Sequence, residues 1–385
     1  MTFKMKTIKY LPINWKDGVK LNSTHFTHSY NESIERQQKL AARMTTPFNY
    51  GLGESADAGQ EAVSFILSGD SPSTMRIELQ SCLGITESGH IIHYSKELYG
   101  ALGAQSALLS GETYEEGTRF YVVVSISPYD LCPVGVPDPD TIPLHHPYAL
   151  PSVKLHLVPR SQLNTGIRNT DYIIVGELVY QNGLLISNER YIPPVQRLAY
   201  SPKAMEYYNT LITIFQRING YSKLIYRKNI RDSRRTMLVD NTFILCDAFM
   251  SFYNQHIFEL THIVPQMPPI MLFQKAQILG QELLSSFMRM YEPEYEALLQ
   301  YCYTWTDITP ADLEKQLGIL ASTDYSHIDI QSGLSGILAS IRTLEKIFVK
   351  LSELEYVGLQ RENIIISEDT EEAKPTKGSH LRIIG

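Results

Sequence analysis

The sequence has no long apolar run, few cysteines and no excess of positive charge. No stretch approaches the ~20 apolar residues that a membrane-spanning helix needs, and the amino terminus lacks the apolar run of a secretory signal. The four cysteines lie far apart, which argues against a zinc site or a disulfide framework and fits a reducing cytosol. The net charge of −7 does not favour nonspecific nucleic-acid binding. We therefore expect a cytoplasmic protein without membrane insertion or a nucleic-acid partner.

The sequence also lacks the motifs of common active sites. Neither the phosphate-binding pattern G-x-x-x-x-G-K-[ST] nor the nucleophile pattern G-x-S-x-G occurs. His25 and His28 have a spacing that could bind metal on a helix, but no third ligand has a matching spacing. His90 and His93 fall in a predicted strand, where positions i and i+3 face opposite sides. We predict no catalytic residue, no cofactor and no metal, and therefore a protein that is not an enzyme.

Residues 1–200 have the composition of a β-rich domain. Short runs of β-branched and aromatic residues, such as Phe120–Ile126 and Tyr172–Tyr180, are separated by turn signals, and this spacing predicts a β-sandwich. Asn182-Gly183 follows the second run and predicts a tight hairpin. The proline-rich stretch Cys132–Pro151 is too long for a tight turn, and we interpret it as an ordered excursion or an arm.

Residues 201–356 have the pattern of a helical bundle. Ser201-Pro202 predicts the start of its first helix, with serine as the cap and proline at the first helical position. The predicted helices cover residues 202–230, 236–262, 268–290, 310–321 and 327–356. Residues 357–385 are polar and partly acidic and predict a tail that buries no core. The predicted fold class is thus α+β and multidomain, with a β-sandwich followed by a helical bundle.

The last predicted helix carries the most regular apolar pattern, a heptad spacing sustained over about three heptads. The residues of this stripe, which we predict to form a subunit seam, are Leu334, Ile337, Ile341, Leu344, Phe348 and Leu351. A second apolar stripe beside it contains Leu338, Ile347 and Leu354. Either one stripe faces a partner subunit, or both face one internal core, as a wide apolar face does. The spacing alone does not choose between these arrangements.

The first quarter of the chain contains its most distinctive stretch. Its pieces are Trp15-x-x-Gly18-x-x-Leu21, His25-Phe26 and Pro47-Phe48-Asn49-Tyr50-Gly51-Leu52. Physically, they predict an aromatic anchor, a glycine turn, a short apolar strand, a polar segment and a second aromatic turn. No catalytic or metal-binding motif elsewhere in the sequence is as distinctive.

Two further segments complete the pattern. They are Tyr191-Ile192-Pro193-Pro194 and Met267-Pro268-Pro269-Ile270-Met271-Leu272, the latter followed by Leu279-Gly280-Gln281-Glu282-Leu283. In this order the segments resemble the TssK family, which are baseplate subunits of bacterial type VI secretion systems. The sequence departs from that family at Ser23-Thr24, where a proline-glutamine pair is usual.

The resemblance implies a structural subunit with a β-rich shoulder (1–200) and a helical neck (201–356). It implies a homotrimer that binds the wedge proteins TssF and TssG and whose far end faces the trans-envelope complex, so that the protein is peripheral to the inner membrane. We predict that the wedge proteins bind Trp15, Gly18, Leu21, His25 and Phe26. Because only about 30, largely polar, residues follow the last predicted helix, we expect the family's head domain, which contacts the membrane complex, to be missing or reduced.

Two other functions remain open at the level of the sequence. A phage-type tail receptor-binding or adaptor protein would use the same β-rich shoulder. A β-rich glycan-processing enzyme would instead need a cleft lined by convergent carboxylates and aromatic side chains.

Overall fold

The computed structural model has strands in its first half and helices in its second half. It describes residues 8–55, 59–69, 76–105, 114–163, 171–230 and 235–359. The predicted α+β class, with a β-rich region followed by a helical bundle, is confirmed. The prediction of a tail (357–385) that buries no core is wrong at its start, because Val357 is buried in the apolar cluster and Leu359 packs against it. From residue 360 onward the tail lies outside the described residues.

The first half contains two antiparallel sheets that share one core. The strands are β1 (Gly51–Leu52), β2 (Val63–Ser68), β3 (Arg76–Ile85), β4 (Ile91–Ser95), β5 (Leu102–Gln105), β6 (Arg119–Val134), β7 (Tyr148–Pro159), β8 (Asp171–Gln181) and β9 (Leu184–Ser187). In the first sheet, β3 pairs with β1 and β2 on one side and with β4 and β5 on the other. The second sheet has the order β7-β6-β8-β9. Inward side chains of both sheets, such as Leu79 and Val122, belong to one apolar cluster, as in a sandwich.

Two hairpins of the second sheet correspond to sequence predictions. Asn182 and Gly183 both have positive φ, 52° and 78°, as a type I′ turn requires, and they connect β8 to β9 as predicted. The β6–β7 pairing extends from Phe120 and Pro159 outward to Val134 and Tyr148. The proline-rich stretch 132–151 is therefore the outer part of a long hairpin, which agrees with its interpretation as an ordered arm.

Six of the eight α-helices in the described residues lie in the second half of the chain, one precedes the strands and one short helix lies between β4 and β5. They are α1 (Ser23–Met44), α2 (Lys96–Tyr99), α3 (Pro202–Asn229), α4 (Met237–His262), α5 (Ile270–Phe287), α6 (Glu292–Thr306), α7 (Pro310–Ala321) and α8 (Ile330–Glu353). The hydroxyl of Ser201 accepts a hydrogen bond from the backbone N–H of Ala204 (3.2 Å), so α3 begins as predicted. Helix α6 was not predicted, although Pro293 between two glutamates is a helix-start signal.

Helix α1 contradicts the prediction for the opening stretch, which gave a short strand and a polar segment there. Asn22 caps the helix, because its Oδ1 accepts a hydrogen bond from the N–H of His25 (3.1 Å). Residues 35–43 are strong helix formers, and this signal was available in the sequence. Only Asn31 and Glu35 of the 22 residues of α1 are buried, so the helix lacks the apolar stripe that usually identifies one.

The apolar stripe of α8 lies inside the chain. All six residues of the predicted trimer seam are at most 2% exposed: Leu334, Ile337, Ile341, Leu344, Phe348 and Leu351. In the second stripe, Ile347 and Leu354 are buried and Leu338 is partly buried. Both stripes thus face one internal core, packed mainly against α3 and α7. The stripe that we predicted as a subunit interface is the internal face of α8, because its side chains do not reach the surface.

The turn Pro47–Leu52 joins the sandwich to the segment that leads into the bundle. The N–H of Leu52 donates to the carbonyl of Pro194 (2.8 Å), and the N–H of Gln196 donates to the carbonyl of Leu52 (3.0 Å). Gly51 has a φ of +109°, and a Cβ atom there would lie 2.1 Å from the Pro194 oxygen. Only glycine therefore fits this close approach.

His327 connects the same turn to the loop before α8. Its Nε2–H donates to the carbonyl of Tyr50 (2.9 Å), and its Nδ1 accepts a hydrogen bond from the hydroxyl of Tyr325 (2.6 Å), the arrangement of a neutral imidazole. Nearby, the Tyr191 hydroxyl donates to the carbonyl of Ile328 (3.1 Å). Burial lowers the pKa of His327 to about 4, against the opposing effect of its hydrogen bond to Tyr50.

The His327 contact predicts a pH-dependent stability. The folded-state pKa lies below the unfolded value of about 6.5, so the unfolded chain binds more protons between these values. The contribution of neutral His327 to the free energy of unfolding is complete above pH 6.5 and is lost as the pH falls toward 4. Between pH 7.5 and 5 it amounts to about 2 kcal/mol.

Urea denaturation of His327→Gln and of the wild type at both pH values measures this contribution. We expect the variant to lose about 2 kcal/mol less stability than the wild type on acidification. His93→Gln, a change at an exposed histidine of β4, is the control and should follow the wild type. Equal pH dependence in His327→Gln and the wild type would contradict the assignment.

Gly280 of α5 and Gly318 of α7 give a matched test of helix packing. A Cβ at position 280 would lie 2.5 Å from the backbone nitrogen of Ala321, whereas a Cβ at position 318 would meet nothing within 4 Å. We expect Gly280→Ala to lower the free energy of unfolding by about 1–3 kcal/mol through overpacking. Gly318→Ala should raise it by up to about 1 kcal/mol through helix propensity. Urea midpoints measure both, and a stabilised Gly280→Ala variant would refute the close packing of α5 on α7.

Candidate partner-binding surface

Residues 8–22, here called the N-terminal segment, expose an unusual number of apolar side chains. The exposed fractions range from 37% to 66% for Ile8, Leu11, Trp15, Val19, Leu21 and, in the first turns of α1, Phe26. Apolar and aromatic side chains gathered in one exposed stretch are typical of a surface that binds another protein.

The structure brings the predicted wedge-binding residues together at the start of α1. Gly18 has a φ of +82° in a turn in which the N–H of Val19 donates to the carbonyl of Lys16 (3.2 Å). The indole of Trp15 packs edge-on against the imidazole of His25, with ring centroids 5.8 Å apart. The Nδ1 atom of His25 is shielded and has no hydrogen-bond partner among the described residues.

Glu35 attaches the N-terminal segment to α1 at Lys9 and Tyr10, here called the root of the segment. Glu35 was not singled out from the sequence. Its carboxylate accepts hydrogen bonds from the N–H groups of Lys9 (2.9 Å) and Tyr10 (2.7 Å), and it pairs with the ammonium group of Lys39 (2.8 Å). The hydrogen bonds from Lys39 and from the Lys9 backbone lower the pKa of the Glu35 carboxyl to about 2. The ring of Tyr10 packs against Tyr129 of β6 at 5.0 Å.

The second half of α1 rests on the turn between β3 and β4. The side-chain amide of Gln38 donates to the carbonyl of Ser88. Gly89 lies so close to the helix that a Cβ there would be 2.6 Å from the backbone nitrogen of Ala42. These contacts are polar or depend on close backbone approach, which explains why no apolar periodicity announces them in the sequence.

A cleft of about 360 Å³ at the edge of the sandwich contains the carboxylates of Glu61 and Glu177. Glu177 is buried, lies 3.5 Å from both Arg119 and Arg160, and accepts a hydrogen bond from the amide of Asn188 (2.6 Å). Glu61 lies 3.4 Å from Lys203 of α3. Both carboxylates are thus held by cations, an arrangement typical of structural ion pairs rather than of two carboxylates that face a substrate.

Two structural features, a cluster of metal ligands and a helix able to cross a bilayer, are both absent from the described part of the chain. No three histidine, cysteine, aspartate or glutamate residues within it are grouped as a metal site would require. His90 lies 3.2 Å from Asp171, whereas His93 is exposed. None of the described helices combines the length and the apolar character needed to cross a bilayer.

The comparisons with known proteins give a likeness in structure but not in sequence. No protein-family model matches the chain, and no curated protein matches it. A chain of the baseplate complex from the type VI secretion system aligns with a TM-score of 0.53 and 14% identity, over 88% of this chain and 99% of that one. The crystal structure of TssK aligns with a TM-score of 0.51 and 14% identity, over 86% of this chain and 68% of that one.

A third structure, the TssK-TssF-TssG baseplate subcomplex of the type VI secretion system, contains a chain that aligns with a TM-score of 0.49 and 16% identity, over 88% of this chain and 99% of that one. About a third of the TssK chain in the crystal structure has no counterpart in the alignment. The first two likenesses carry the conclusion on the fold. The chain shares the fold of TssK, the family that its sequence motifs resemble.

Proposed function

We propose that this chain is a structural, non-enzymatic subunit of a type VI secretion baseplate. The observation that carries the proposal is the TssK fold, which extends over both the sandwich and the helical bundle. The order of the sequence motifs supports the same assignment independently of the alignment. In this role the protein would hold its partners at a fixed distance and bind them, without catalysing a reaction. The carboxylates of the sandwich cleft agree with such a role, because they are paired with cations.

The partners of the N-terminal segment would be the wedge proteins TssF and TssG. Its exposed aromatic and aliphatic side chains supply the kind of contact area that dominates protein interfaces. Trp15, Gly18, Leu21, His25 and Phe26 are accordingly the residues proposed to bind the wedge.

The end of the molecule opposite the N-terminal segment would face the trans-envelope complex. Through this complex the protein would be held at the cytoplasmic side of the inner membrane as a peripheral protein. A homotrimer suits this role, because three copies present three equal surfaces and turn weak contacts into strong avidity. In this proposal the trimer interface would lie outside the stripe of α8, whose side chains are buried within the chain.

Two exposed phenylalanines give a matched test of the wedge-binding surface. Phe26 at the start of α1 is 61% exposed, and Phe258 on α4 is 69% exposed. We expect Phe26→Ala to weaken binding to purified TssF and TssG from the same secretion locus by about 10- to 30-fold, because aromatic anchors carry much of the interface energy. Phe258→Ala should bind like the wild type. Calorimetry or interferometry measures both affinities.

Co-purification with tagged neighbours tests the functional assignment itself. Recovery of TssF and TssG with the wild-type chain supports it. Recovery of no baseplate protein from a complete secretion locus would refute it. Binding of Phe26→Ala as tight as that of the wild type would show that the wedge binds elsewhere on the molecule.

Light scattering on the purified chain tests the homotrimer. We expect a mass of three chains of 43.8 kDa each at micromolar concentration. Ile341→Val, a small change inside the α8 stripe, should lower stability by about 1 kcal/mol without changing the mass, because this stripe packs within one chain. A monomer at micromolar concentration would rule out the trimer.

A further inference from the structure

The N-terminal segment is attached at its root through a buried side chain rather than through an apolar core. Glu35 is only 7% exposed, and its two oxygens receive the N–H groups of Lys9 and Tyr10. Two successive backbone donors that meet one carboxylate form a charge-assisted contact, which is stronger than a neutral hydrogen bond. The Lys39 ammonium compensates the buried charge from the next turn of α1.

This contact closes a loop. Lys9 and Glu35 are 26 residues apart, and the chain between them contains all the proposed wedge-binding residues from Trp15 to Phe26, here called the docking surface. Besides this contact, the Tyr10 ring packs edge-on against His28 of α1, with ring centroids 6.3 Å apart. Asn31 and Glu35 are the only buried residues of α1, so the helix holds this loop mainly through polar and edge contacts. Within the loop, the contact between Trp15 and His25 folds the segment onto the start of α1 but does not attach it to the sandwich.

The aromatic contacts at the root depend on the same backbone position. The Tyr10 ring packs against Tyr129, and the Lys9 ammonium lies 5.3 Å from the centre of the Tyr129 ring. Both side chains belong to the residues whose backbone N–H groups Glu35 binds. Release of these N–H groups is therefore expected to loosen the contacts with β6 as well.

We infer that Glu35 is a positioning residue, whose carboxylate holds the root of the N-terminal segment and thereby presents Trp15 to Phe26 as one ordered docking surface. The presentation to a partner rests on the proposed function. The attachment itself does not, and it can be measured on the isolated chain.

Hydrogen exchange of the purified full chain tests the attachment. In Glu35→Gln, which keeps the shape of the side chain but removes its charge, we expect the amides of residues 9 and 10 to exchange roughly 10- to 100-fold faster than in the wild type. Trypsin should also cut sooner after Lys16 and Lys20. Amides of β6 and α5 should keep their protection, which shows that the fold is intact.

Glu32→Gln is the matched control, because Glu32 lies one turn earlier on α1 and pairs with the exposed Arg36. A surface pair of this kind contributes little, so the exchange of residues 9 and 10 should stay as in the wild type. If Glu35→Gln instead raises exchange throughout the chain, the variant has lost its fold and does not test the attachment. Lys9→Pro then provides the test, since it removes one of the donated N–H groups and leaves Glu35 in place. Unchanged protection of residues 10–22 in Lys9→Pro, or of residues 9 and 10 in Glu35→Gln, overturns the inference.

Binding to TssF and TssG separates this inference from the proposed function. We expect Glu35→Gln to weaken binding about 10-fold, because the partner must then order the released loop. Release of the segment with unchanged binding would leave the attachment correct and remove the segment from the docking surface. Weaker binding without release would overturn the positioning role while leaving the proposed function in place.

Discussion

The backbone pairing of Leu52 with Pro194 and Gln196 determines how the sandwich sits on the helical bundle. It requires glycine at position 51, because the carbonyl of Pro194 occupies the space of a Cβ atom. The same turn offers the Tyr50 carbonyl to His327, so a segment before the strands is tied to the loop before α8. Buried side chains then run from the sheets into the helices as one contiguous cluster, and the two halves pack as one body.

Local signals in the sequence were sufficient for much of the fold. Asn182-Gly183 and Ser201-Pro202 each specify a backbone geometry within a few residues, and both led to the correct element. Periodicity was less decisive, because the stripe of Leu334 to Leu351 shows which face of α8 is buried but not what buries it. Helix α1 was missed because its anchoring contacts are polar, whereas the prediction relied on apolar spacing.

The candidate site also contains some residues that the sequence could single out and others that it could not. Trp15 and Phe26 could be singled out because they belong to a recognisable order of motifs along the chain. Glu35 could not, because a carboxylate that meets backbone N–H groups 25 and 26 residues away leaves no pattern of residue types. The sequence predicts an aromatic turn at Pro47–Leu52, and the structure has a turn there. This turn contributes to the junction with the bundle and not to the exposed docking surface.

The junction also defines how mechanical load would pass through the molecule. A pull on the N-terminal segment enters α1 at Glu35 and reaches the sandwich through Gln38 and the close contact at Gly89. From there it passes to the bundle through Leu52 and Tyr50. The side-chain hydrogen bonds at the root open more easily than paired strands or packed helices. Under tension the segment would therefore detach first, and the length of free chain at the amino terminus would increase. The sandwich and bundle would keep their shape.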